Sequence, residues 1–171
     1  LGSTLSASEL AQLTQRAEHI ATGVPTGIMD QLCIASARDG HGTMIDCRTL
    51  EVTHVSIPTD VKIVVRFIAH RTLVGSAYAD RVAQCAAAES IIGPLRDASL
   101  VDVAAITDAT IASRARHVIS ENARVVSFAS SLAAGDYGTA GAIMSDCHRS
   151  LAEDFATSND QMNAAVRDMC A

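Results

Sequence analysis

Apolar residues recur at helical spacing from the start of the chain, change to strand-like alternation near residue 43, and return to helical spacing after residue 74. Ser6-Ala7-Ser8-Glu9 has the spacing of a capping box, and Leu10, Leu13, Ala17 and Ile20 follow on one helical face. Gly23 and Pro25 are the stop signal. A second helix is expected from Gly27 to Arg38, with Ile28, Met29, Leu32, Cys33 and Ala35 as its apolar positions. Asp39-Gly40-His41-Gly42 reads as a turn. The runs 43–47 and 51–57 then read as a short antiparallel pair.

Pro58-Thr59-Asp60 turns the chain into Val61-Lys62-Ile63-Val64-Val65-Arg66-Phe67-Ile68. This run is β-branched and apolar, the pattern of an interior strand. Helices are expected near 74–92, 100–105, 107–133, 136–147 and 158–170. Gly93-Pro94, Gly135-Asp136 and an irregular stretch after Leu151 separate them. A few strands followed by many helices give an α+β class. The composition shift near Pro58 divides the chain into a first lobe, 1–60, and a helical second lobe, 61–171.

Composition sharpens this picture. The 171 residues are 49% hydrophobic but only 3% aromatic, with no tryptophan, so the core is aliphatic. Mean hydropathy is +0.23, the value of a globular chain. The net charge of −6 and the lack of basic runs argue against a nucleic-acid partner. No apolar stretch reaches bilayer-spanning length and no signal peptide opens the sequence, which points to no membrane association and a cytoplasmic location. Cys33, Cys47, Cys85, Cys147 and Cys170 are scattered without a C-x-x-C pair, so reduced thiols are expected and no metal site is indicated.

Few side chains carry chemistry. Asp30, just after Gly27-Ile28-Met29, falls in the first turn of the second helix. There a carboxylate gains about 0.3–1 kcal/mol from the helix dipole, a purely structural explanation. It would also be held ionised and rigid, as a general base requires. Tyr78 is either a flank residue with its hydroxyl in water or a polar-tipped wall for a sugar. His117, four residues before Glu121, reads as solvated or paired rather than as a ligand. Cys147 and His148 are adjacent on a helix and diverge by about 100°, so they form no nucleophilic dyad. Residues 2–8, GSTLSAS, hold one glycine and no lysine, and are read as loop and helix cap rather than a phosphate loop.

Five blocks, in order, resemble galactokinases of the GHMP small-molecule kinase superfamily. Gln15-Arg16-Ala17-Glu18 with Gly23-Val24-Pro25-Thr26-Gly27-Ile28-Met29-Asp30-Gln31 is similar to the family's central block. Ile45 to Leu50 looks like the strand segment that follows it. Ser76-x-Tyr78-x-x-Arg81 with Cys85 resembles an S-x-Y-N-x-R-R-x-E-C helix, with Ala79, Val82 and Gln84 as departures. Arg114 to Val118 with Glu121-Asn122 and Arg124-Val125 resembles the next signature, and Met144 to Phe155 resembles S-H-x-S-L-R-D-D-[FY].

The resemblance implies a GHMP-kinase-like two-lobe fold and ATP- and Mg²⁺-dependent phosphorylation of the anomeric C1 hydroxyl of galactose. On matching positions Asp30 would be the base, Gly27 would bring its backbone close to the sugar, and Tyr78 would contact a sugar hydroxyl. The family's early sugar-binding stretch, its G-L-S-S-S phosphate loop and its late glycine-rich turn are not among these residues. The resemblance therefore implies an internal piece of a galactokinase, incomplete for catalysis by itself. Rival readings are a non-catalytic sugar-binding or regulatory module, and a kinase for a related sugar such as arabinose.

Overall fold

The computed structural model describes residues 4–70 and 77–170. In chain order the elements are α1 (Ala7–Thr22), α2 (Met29–Ser36), β1 (His41–Ile45), β2 (Val52–Ser56), α3 (Tyr78–Ile92), a 3-10 turn (Asp102–Ala105), α4 (Ala109–Ala133), α5 (Tyr137–Glu153) and α6 (Asp160–Cys170). The class is α+β. Two compact units are present, one holding the chain up to Lys62 with Leu132–Gly135, the other Ile63–Ser131 with the chain from Asp136 onward. Among the described residues no helix is long and apolar enough to cross a membrane.

In the first unit, α1 opens on the anticipated capping box. Ser6 Oγ accepts from the Glu9 amide at 3.3 Å, and Glu9 Oε2 accepts from the Ser6 amide at 2.8 Å. Accepting from the Ser6 amide, and from the Ser6 hydroxyl at 2.8 Å, holds the Glu9 carboxyl below its usual range. The helix ends on Gly23 at φ 69°, whose amide donates to the His19 carbonyl. That left-handed C-cap is readily reached only without a Cβ. Ala11, Ile28 and Leu32 are buried together, with Ile45, Leu50 and Val52 packed against them.

The strands pair antiparallel, in register from His41↔Ser56 to Ile45↔Val52. Asp46 closes their connection by accepting from the Arg48 and Thr49 amides at 2.9 and 3.1 Å. This side-chain turn leaves Leu50 at φ 61°. The first strand begins two residues earlier than the alternation suggested, because Gly42 pairs with Val55 as part of the ladder.

The second unit has the small-residue core that the composition implied. Ala88, Leu95, Val103, Ile106, Ala112 and Ala115 are buried, with Cys85, Ile92, Ile111, Val118 and Ile119 against them. Ala88 of α3 and Ala112 and Ala115 of α4 share this cluster, where dispersion contacts replace aromatic bulk. Here α5 runs to Glu153, six residues beyond its expected end.

One expectation is overturned. Val61–Ile68 is not an interior strand: it forms no ladder, and Ile63, Val64, Val65 and Phe67 are exposed, Val65 by 89%. A β-branched run becomes a strand only against a partner, and the strands among the described residues, β1 and β2, pair with each other. The start of the expected helix at 74–76, Ser76 of the third matched block and residues 2 and 3 of the GSTLSAS stretch lie outside the described residues.

Candidate functional site

The placement of Asp30 follows from two core residues. Ile28 and Leu32, one helical turn apart, point into the first unit's core, where Leu32 is only 1% exposed. Asp30 lies about 200° around the helix from Ile28 and therefore faces outward. It is exposed, in the first turn of α2, and makes no side-chain hydrogen bond or ion pair among the described residues. The hydrophobic anchor and the outward carboxylate are thus two consequences of one helical period.

The loop ahead of it is fastened to α1. Gln15 Nε2 donates to the Thr26 carbonyl at 2.9 Å, and His19 Nε2 donates to the same oxygen at 2.8 Å. One turn of α1 therefore holds the peptide preceding Gly27. Glu18, on that same face, accepts a hydrogen bond from Gln31 Nε2. Gln31 Oε1 and Thr26 Oγ1 are buried and have no hydrogen-bond partner among the described residues.

Gly27 itself is exposed. A Cβ placed there meets nothing within 4 Å, and its φ is outside the left-handed region. Local packing and backbone conformation therefore give no reason for glycine at this position. Tyr78, the first residue of α3, is half-buried and belongs to the second unit, whereas Gly27 and Asp30 belong to the first.

The second unit contains a polar cluster that single-residue reasoning missed. Gln84 Oε1 accepts from Arg81 Nη1 at 3.0 Å and from Arg114 Nε at 2.9 Å. The two guanidinium groups then grip the turn after α5. Arg114 donates to the Asp154 carbonyl, Arg81 Nε to the Phe155 carbonyl at 2.7 Å, and Arg81 Nη2 to the Ala156 carbonyl at 3.1 Å. Ala156 sits at φ 54° within that turn. Arg116 adds an ion pair to Asp154 Oδ1 at 2.9 Å.

His117 is buried rather than solvated, and of the two placements expected for it the paired one is found. Its Nδ1 donates to Ser150 Oγ at 2.9 Å, and Ser150 Oγ in turn donates to Asp154 Oδ2 at 3.1 Å. That direction of donation places a hydrogen on Nδ1. Its ring stacks on Phe155 with centroids 4.4 Å apart. Burial pushes the imidazole below its ordinary range, with the neighbouring Arg124 and Arg114 adding to the shift and Glu121 and Asp154 opposing it. The three later matched blocks thus meet in one scaffold that secures α3, α4 and the turn after α5. The available signal was co-occurrence: Arg81, Arg114, Ser150 and Asp154 all lie in matched blocks, but nothing in their spacing places them together.

Cys147 is pushed up to about 11, chiefly by burial, with its hydrogen bond to Glu121 and that carboxylate's charge adding to the effect. It is a protonated thiol at neutral pH and no nucleophile. Among the described residues no group of three or more His, Cys, Asp or Glu side chains could hold a metal ion.

Comparison with known proteins follows the same outline. No family model matches the chain. The chain is 40% identical, over 174 aligned residues, to a galactokinase of Chloroflexus aggregans, covering 95% of this chain and 44% of that relative. Its fold superposes on the crystal structure of Lactococcus lactis galactokinase complexed with galactose, with a TM-score of 0.81 and 26% identity over 93% of this chain and 44% of that one. The chain therefore spans less than half the length of the proteins it matches.

Proposed function

On the premise that this chain is a segment of a galactokinase-family protein, we propose that the whole protein transfers a phosphoryl group from ATP to the C1 hydroxyl of galactose, with Asp30 as base. The carrying observation is the outward carboxylate of Asp30 on a helix start anchored by Ile28 and Leu32 and fastened to α1. Asp30 takes the proton of the anomeric hydroxyl, and the freed oxygen lone pair forms the new bond to the γ-phosphorus while the bond from that phosphorus to the β–γ bridging oxygen breaks and ADP leaves with the electron pair. Phosphoryl transfer asks little covalent chemistry of a protein, so a fixed carboxylate beside the nucleophile is a large part of what it supplies.

Gly27 leaves room for a sugar hydroxyl to approach the backbone, which accounts for a glycine that packing does not require. Tyr78 is assigned a contact to a sugar hydroxyl, the role its matched position implies. Among the described residues no group of three or more His, Cys, Asp or Glu side chains could hold a metal ion by itself, so no step is assigned to Mg²⁺. The 171-residue chain by itself is expected to be inactive.

The test is ADP release by the whole protein with galactose and ATP. Asp30→Asn keeps the size and hydrogen-bonding capacity of the side chain but removes its basicity. General-base loss lowers kcat by about 10²–10⁴-fold, which is the expected result. Turnover within about threefold of the parent would refute the assignment of Asp30, since that is far below the effect of losing a base. Substantial turnover by residues 1–171 alone would refute the proposed incompleteness.

A further inference from the structure

We infer that Glu18, acting through Gln31, is a positioning residue for Asp30, an inference that rests on the kinase reading above. The first turn of α2 lacks a side-chain cap. Burial of Ile28 and Leu32 holds the helix down, but apolar contact is non-directional and permits small rotations about the helix axis. Those rotations move Asp30 sideways. Two directional bonds resist them: His54 Nε2 donates to the Ser36 carbonyl at the far end of α2 at 2.7 Å, and Gln31 Nε2 donates to Glu18 in the first turn, from the residue adjoining the base.

Two further observations support this. Gln15 and His19, three residues before and one after Glu18, both hold the Thr26 carbonyl, so one face of α1 fixes both the loop and the helix start. The other half of the Gln31 amide, Oε1, is buried with no hydrogen-bond partner among the described residues. Among these residues the side-chain hydrogen bonding of Gln31 therefore rests on Glu18 alone. Removing Glu18 leaves a buried amide unsatisfied, and the side chain must turn away to find water. Charge-assisted bonds are also the stronger and more directional class, suited to fixing a helix azimuth.

The test exchanges donor and acceptor in the whole protein. Glu18→Ala should lower kcat about tenfold or more while leaving KM for galactose within about threefold, because a displacement near 1 Å can cost about a hundredfold in rate. Gln31→Glu sets two carboxylates against each other and should lose a similar factor. Combining Glu18→Gln with Gln31→Glu restores one amide and one carboxylate, and kcat should return to within about threefold of the parent.

Thermal unfolding of each variant separates rate from folding, since a purely structural role predicts kcat loss that tracks loss of folded protein. Glu18→Ala with kcat within about twofold of the parent overturns the inference. So does an exchanged pair as impaired as Glu18→Ala. Should Glu18→Ala not fold, the exchanged pair decides alone, by the same recovery or its absence. Asp30→Asn distinguishes the two levels: if it is inactive while Glu18→Ala is normal, only the positioning role fails; if it is active, the base assignment fails.

Discussion

At the scale of single residues, burial sets the chemistry of His117 more firmly than the charges beside it. Taking the imidazole out of water disfavours its charged form, and the Ser150–Asp154 chain accepts from one nitrogen without supplying a full ion pair. The folded-state pKa is therefore depressed below the ordinary value of 6.5. The unfolded chain then binds more protons in that range, so stability is present above pH 6.5 and is lost as pH falls toward the folded-state pKa. Denaturant midpoints between pH 7.5 and 5.5 should fall in the parent, and the fall should be smaller in His117→Gln, which does not titrate. Parallel curves for the two proteins would show that His117 contributes nothing to the slope. The burial was not visible in Arg114-Ala115-Arg116-His117, where the flanking charges left a solvated and a paired histidine equally open. Arg114 is in fact buried with only 7% exposure, because its guanidinium finds a carbonyl and an amide oxygen to satisfy it.

At the scale of elements, helices were legible wherever caps and period agreed. Ser6, Glu9 and Gly23 mark the ends of α1 because capping is a local transaction between residues three or four apart. Val61–Ile68 failed for the opposite reason: strand formation is settled by a partner remote in sequence. The clamp between α3, α4 and the turn after α5 is remote in the same sense. At its centre Gln84, which departs from the glutamate of the resembling helix, offers one neutral oxygen to two guanidinium groups. Two cations held together by a neutral acceptor leave part of their mutual repulsion uncompensated, Asp154 offsetting some of it at Arg114. Gln84→Glu should therefore strengthen both bonds by charge assistance and stabilise the protein by about 1 kcal/mol at pH 7, a gain that disappears once the carboxylate protonates. Chemical denaturation at pH 7 and pH 3 checks this, since pairing depresses the carboxylate's folded-state pKa below the ordinary value of about 4.3; a lower midpoint at pH 7 would mean that desolvating the new charge outweighs its pairing.

At the scale of the whole molecule, the candidate site was legible because it is local. Gly27, Asp30 and the α1 residues that hold the loop and helix start lie within a short span, and the anchors Ile28 and Leu32 set the outward direction of the Asp30 carboxylate by helical period alone. What the sequence could not convey is how much apolar surface the 171 residues leave uncovered. Ile63, Val64, Val65 and Phe67 form an extended, exposed run, and its backbone joins no ladder. An exposed hydrophobic segment that joins no ladder among the described residues is a template for edge-to-edge association. In an antiparallel self-pairing centred on Val65, Ile63 opposes Phe67 while Lys62 and Arg66 oppose Ile68 and Val64, so no like charges meet. The isolated 171-residue chain should therefore self-associate as its concentration rises, and sedimentation should record an increasing mean mass. Val65→Lys sets two ammonium groups against each other at the centre of that register, so it should keep the chain monomeric over the same range without changing its helical signal. A parent chain that stays monomeric throughout, or a Val65→Lys variant that associates equally, would exclude this run as the contact.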